Sequence, residues 1–203
     1  MRKRPLMPDP ETLTTSSLLE WLKSGNGSNR SDAAMELGSR RIASVWRPLC
    51  RLLRDTWWVA RCSAAESLGM IGAPQAIPHL RRALKTLNAN VKLYVSESLA
   101  DLGDWVSRPE FEKMRRSRNE RIRMAGASAL YILGDRERLP EVIELLRSPH
   151  SANQCAAANT LAYVTRSEDV LQAMAGLQKA LDVEKSPAPI SYFKKAIREL
   201  RQI

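Results

Sequence analysis

The chain has 203 residues, 44% of them hydrophobic and 27% charged, with a formal net charge of +10 at pH 7. That balance belongs to an ordinary folded protein and places the chain among neither disordered nor membrane proteins. No run approaches the roughly 18 apolar residues that span a bilayer, so a membrane protein is not expected, and Leu, Ala, Arg and Glu outweigh the β-branched and aromatic residues, which favours helix over strand.

In chain order, residues 1–12 carry a basic start but no apolar run, because Pro8, Asp9 and Pro10 interrupt it; they read as a flexible arm, neither signal peptide nor anchor. Beyond them the spacing of apolar residues predicts paired helices at 13–23 and 28–40, 43–54 and 57–71, and 74–86 and 89–102. Further pairs follow at 105–117 and 119–133, 136–147 and 150–165, and 167–182 and 188–202. The pairs recur every 31 residues: Leu37, Leu68, Leu99, Leu130 and Leu161 form one column, and Ala34, Ala65, Ser96, Ala127 and Ala158 another. Such a helix pair buries its apolar faces only by stacking on its neighbours. The predicted fold is therefore all-α, an α-α superhelix of about six helix pairs forming one domain over 13–203.

The turns repeat as well. Ser24, Asp55, Thr86, Ser117 and Ser148 stand at the break within each pair, where their oxygens are expected to N-cap the second helices. Gly72, Gly103 and Gly134 are placed to end second helices in the left-handed conformation, and Pro74, Pro109 and Pro140 fall near or within the first helices that follow. Ser186, Pro187 and Pro189 lengthen the last turn, and the charged segment 183–203 reads as an atypical C-terminal cap.

The segments DTWWVARCSAAESLGMIGAPQAIPHLRRAL, ANVKLYVSESLADLG and RIRMAGASALYILGD resemble HEAT repeats, in particular the short bacterial type found in phycobilin lyase subunits, over roughly residues 28–182. The resemblance implies a ladder between layers, built from an acid at the turn and a base six positions later. Asp55 with Arg61 fits it, whereas Ser24, Thr86 and Ser117 replace the acid. The family is diverse in function, so the resemblance implies architecture and tilts the reading towards binding.

Chemistry is sparse. His79 and His150 have no His, Cys or carboxylate at ligand spacing, so no metal is expected, and neither a phosphate-cradling glycine loop nor a nucleophile turn occurs. Cys50, Cys62 and Cys155 lack pairing and read as small buried or half-buried apolar residues of a reducing, cytoplasmic compartment. The expectation is a protein that is not an enzyme and holds no cofactor.

The basic residues are ordered. Lys23, Arg54, Lys85, Arg116 and Arg147 form a 31-residue column at the ends of first helices; Arg30, Arg61, Lys92 and Arg123 form a second near the starts of second helices. Either column could be structural, offsetting a helix dipole or filling the ladder position, or form a ridge for an anionic partner. Arg115, Arg118 and Arg121 mark the stretch richest in extra charge.

Second helices line the concave face of such repeats. The partner-facing residues expected there are Glu66 and Met70, Tyr94, Glu97 and Asp101, and Tyr163. Of Trp57 and Trp58, about 100° apart on a helix, one is expected to be functional and the other core. This mixture suits a protein partner, since carboxylates repel a phosphate backbone. The favoured function is a non-catalytic protein-binding module: an adaptor, a scaffold or a toxin-neutralising immunity-type protein. The alternative is nucleic-acid binding through the basic edge, with DNA-glycosylase-like activity as its extension; a bilin lyase or isomerase subunit is a third reading, resting on repeat type alone.

Overall fold

The computed structural model describes residues 9–203, and within them every regular element is helical. The chain divides into two compact units, Met1–Asp104 and Trp105–Ile203. The first contains α1 (Thr15–Trp21), α2 (Gly27–Ser39), α3 (Trp46–Leu52), α4 (Trp58–Met70), α5 (Ile77–Ala83) and α6 (Ala89–Asp101). The second contains α7 (Arg108–Arg115), α8 (Glu120–Ile132), α9 (Leu139–Glu144), α10 (Ser151–Val164), α11 (Val170–Leu181) and α12 (Pro187–Leu200). These are the six predicted pairs, and the fold class is the α-α solenoid. Several first helices are shorter than predicted because their opening turn is 3-10, as at Pro74–Ala76 ahead of α5. Of the expected N-terminal arm, residues 1–8 lie outside the described residues. Pro10–Thr12 form a 3-10 turn, and Arg40 donates to the carbonyls of Pro10, Glu11 and Leu13.

In the first unit α2, α4 and α6 lie side by side, because small residues let their backbones approach. Ala33, Ala34, Ala60, Ala64 and Ala65 are fully buried. Gly38 sits so close to α4 that an added Cβ would lie 2.8 Å from the Ser67 Cα. The contact is stitched by buried hydroxyls: Ser67 Oγ donates to the Ala34 carbonyl and Ser98 Oγ to that of Ala65, each at 2.7 Å. The same rung thus recurs one repeat later. Leu37, Leu68 and Leu99 fill the space between, all at zero exposure; burying a leucine side chain contributes about 1.5–3 kcal/mol.

The second unit uses the same columns, with Leu130 and Leu161 fully buried. Gly126 brings α8 onto α7, where a Cβ would meet the Phe111 carbonyl at 2.5 Å. The buried Tyr131 hydroxyl donates to Asp169 at 2.8 Å and accepts the Arg166 backbone N–H at 3.0 Å. On α12, Phe193, Ala196, Ile197 and Leu200 are buried while Lys194, Lys195, Arg198 and Glu199 face solvent.

One part of the turn prediction is corrected. Ser24, Asp55, Thr86, Ser117 and Ser148 are not the N-caps. Each side chain accepts the backbone N–H two residues on, from Asn26, Trp57, Asn88, Asn119 and His150, at 2.8–3.2 Å. The cap positions are those later residues, and Asn26, Asn88 and Asn119 accept N–H groups of the first helical turn. A turn this tight requires the chain to bend before the helix starts, which moves the cap two places along. Glu184 continues the column despite the longer last turn: its Oε1 accepts the Ser186 N–H at 2.7 Å. At the other end of the second helices, Gly72, Gly103 and Gly134 have φ of 64°, 70° and 106°, as predicted. Arg41 holds the equivalent position in the first pair with φ 52°.

Candidate functional site

Two sets of residues in the first unit stand out, one on the second helices and one at the turn edge. On the second helices, Glu66 and Met70 of α4 and Tyr94 of α6 are half-buried, and Asp101 is exposed. The Asp101 carboxylate lies against α4 beside Gly69, adjoining Met70. Glu97 does not share this surface: it is only 5% exposed. Leu93 and every residue from Val95 to Ala100 are buried, so the packed arc of α6 is wider than a single stripe and takes in position 97. Tyr163, 43% exposed, belongs to the second unit. Trp57 is half-buried with its ring against Gly27, where an added Cβ would lie 2.6 Å from it, while Trp58 remains 40% exposed.

The structure separates the two basic columns. Members of the second column serve their own turns: Arg30 donates to the Ser24 carbonyl, Arg61 to those of Asp55 and Thr56, Lys92 to that of Leu84, and Arg123 to those of Ser117 and Arg118. The turn acid pairs with the base of the preceding repeat. Arg30 grips Asp55 through Nε and Nη2 of its guanidinium, whereas Arg61 reaches the Asp55 backbone. Arg30 therefore holds the Asp55 carboxyl below the usual carboxylate range. In the second unit a neutral donor takes the place of the arginine, with Gln154 donating to the Glu184 carboxylate at 2.7 Å.

The first column is different. Lys23 pairs with Glu20 on its own helix. Among the described residues, the side chains of Arg54, Lys85, Arg116 and Arg147 make no hydrogen bond or ion pair, and all four are exposed. The charge-rich stretch Arg115–Arg121 is engaged in part: Arg115 bridges Glu112 and Glu141, and Arg121 bonds the Ala152 carbonyl and Asn153, while Arg116 and Arg118 are exposed.

Arg54 and Lys85 meet Arg61, Arg82 and His79 around a cleft in the first unit, with Cys50, Leu53 and Val91 also lining it. Sequence reasoning missed Arg82, although Arg51, Arg82 and Lys113 form a further 31-residue column. Burial pushes the Cys50 thiol up to about 11, so it stays protonated at neutral pH. Cys62 is buried and Cys155 half-buried, as expected. His150 sits at the cap position of α10 without a side-chain cap bond. Among the described residues no three His, Cys, Asp or Glu side chains cluster in a way that could hold a metal, and no helix is long and apolar enough to cross a membrane.

Comparison with known proteins agrees with this architecture. Residues 15–100 match the family model described as HEAT repeats. No curated protein sequence matches the chain significantly. Among solved structures the chain is similar to the complex of CpcE and CpcF of phycocyanin lyase from Nostoc sp., at 17% identity and a TM-score of 0.50, with 98% of this chain and 99% of that one covered. It is also similar to YibA of E. coli, at 18% identity and a TM-score of 0.51, with all of this chain and 80% of that one covered. At these identities the likeness is one of fold. Residues 15–100 are HEAT repeats, and the chain that carries them has the α-α solenoid fold.

Proposed function

We propose that the chain is a non-catalytic protein-binding module whose first unit receives a basic, partly apolar segment of its partner on α4 and α6. The observation that carries this reading is the Asp101 carboxylate of α6 lying against α4 at Gly69, with Glu66, Met70 and Tyr94 half-buried on the same pair of helices and Trp58 exposed at the start of α4. Carboxylates set among thioether and aromatic groups suit lysine- and arginine-bearing protein chains, and they disfavour a phosphate backbone. The helices that bear these groups are tied to their neighbours by the Ser67 and Ser98 rungs, which favours a face already ordered before the partner arrives. Similarity to a structure solved as a complex of two proteins accords with this reading.

The test is affinity purification from native extract with the full chain, followed by quantitative binding of the recovered partner. Tyr94→Ala with Glu66→Lys should weaken that partner at least about tenfold, or 1.4 kcal/mol, with unchanged helical circular dichroism. Equal binding by this variant would place the partner elsewhere. Glu97 is unsuitable for such a test because its buried position would confound binding with folding.

A further inference from the structure

We infer that the basic cleft of the first unit, lined by none of the residues assigned to the protein-binding face, is a binding site for a small phosphate-bearing organic ligand. The cleft has a volume of about 340 Å³ and lies where the ends of α3 and α5 meet the turns that follow them. Its polar lining is cationic, from Arg54, Arg61, Arg82 and Lys85, together with His79 and the Thr86 hydroxyl. Among the described residues no carboxylate lines it. Asp55, next to Arg54 in the chain, is committed to Arg30 by two bonds of 2.6 and 2.7 Å.

Cations near helix C-termini often do no more than offset the helix dipole. Here that task is already met: Arg61 caps the turn after α3 through the Asp55 and Thr56 carbonyls, and Lys92 caps the end of α5 through Leu84. Arg54, Arg82 and Lys85 are surplus to it, with no side-chain hydrogen bond or ion pair among the described residues. Guanidinium forks match phosphate oxygens in geometry, and an ammonium adds a point charge. Leu53, Ala83 and Val91 supply apolar walls. The volume is of the size that holds an organic group beside its phosphate, which a bare ion would not fill. A cavity of about 410 Å³ in the second unit lacks this character, because Glu120, Glu141 and Glu144 line it together with Arg123 and Arg147.

The experiment titrates pyrophosphate, adenosine 5′-monophosphate and adenosine into the full chain at low salt. Calorimetry gives affinity, and the arginine side-chain N–H signals in nitrogen-15 NMR give location. Pyrophosphate and the monophosphate should bind and shift the Arg54 and Arg82 signals, and adenosine should bind at least about tenfold more weakly than its monophosphate. Arg54→Glu with Arg82→Glu should weaken the monophosphate by at least about tenfold, whereas Arg116→Glu with Arg118→Glu should leave it unchanged. Should the charge reversals disturb folding, Arg54→Gln with Lys85→Gln should give the same loss in a folded chain. The inference is overturned if neither phosphate compound binds at about 1 mM, or if the variants bind as the parent does. It is overturned equally if both compounds bind and neither shifts the Arg54 or Arg82 signals.

Discussion

Arg30 and Asp55 form a two-pronged ion pair between successive repeats, with Nε and Nη2 donating to the two carboxylate oxygens at 2.6 and 2.7 Å. Both side chains are largely buried, and Asp55 also accepts the Trp57 N–H. Removing one partner of such a pair leaves the other charge poorly solvated. Asp55→Asn should cost about 3 kcal/mol at neutral pH, measured by urea unfolding. The pH dependence has a definite sign. Because Arg30 depresses the folded-state pKa of Asp55, the stabilisation is complete above the unfolded value of about 3.9 and is lost as pH falls through the lower folded value. The parent should therefore lose more stability than Asp55→Asn on acidification across that window; parallel curves would contradict the assignment.

The contact of α2 with α4 depends on a missing side chain. Gly38→Ala would place a Cβ 2.6 Å from the Ser67 Cβ and 2.8 Å from its Cα, and the backbone cannot yield as a flexible side chain would. A loss of about 1–3 kcal/mol is expected. Gly25→Ala meets nothing within 4 Å and should stay within about 0.5 kcal/mol of the parent. Denaturant midpoints of the two variants decide the matter.

Arg41 occupies a left-handed position that glycine holds in the next three repeats. That conformation costs a residue with a Cβ roughly 1–2 kcal/mol, part of which glycine's greater unfolded-state freedom cancels. Arg41→Gly should raise stability by about 0.5–1 kcal/mol and lift the thermal midpoint. A fall in midpoint would show that the arginine side chain contributes more than its backbone costs.

Tyr131 is wholly buried, and its hydroxyl joins Asp169 to the Arg166 backbone. Tyr131→Phe leaves that N–H without its acceptor and removes a donor from Asp169. A cost of about 1–3 kcal/mol is expected, read by chemical denaturation, with faster exchange of the Arg166 amide.

The helix pairs, their 31-residue period, the glycine ends and the buried leucine and alanine columns were legible in the sequence by itself, because each follows from local periodicity or from the conformational demands of one residue. Asn26, Asn88 and Asn119 were equally legible as a column, yet the capping role went to Ser24 and its equivalents, since only the bend of the turn shows which oxygen meets which N–H. The tertiary structure alone decided which charges are engaged. Arg30 finds its acid 25 residues away and Arg61 finds carbonyls of its own turn, although both stand at the same repeat position. The helical stripe predicts Glu97 at the surface, but it is buried because α6 is packed over a wider arc than any one stripe describes. The gathering of Arg54, Arg82 and Lys85 about one cleft depends in the same way on how neighbouring pairs stack. Spacing along a chain determines which face of a helix a residue occupies; what stands opposite that face is supplied by another helix, and only packing brings the two together.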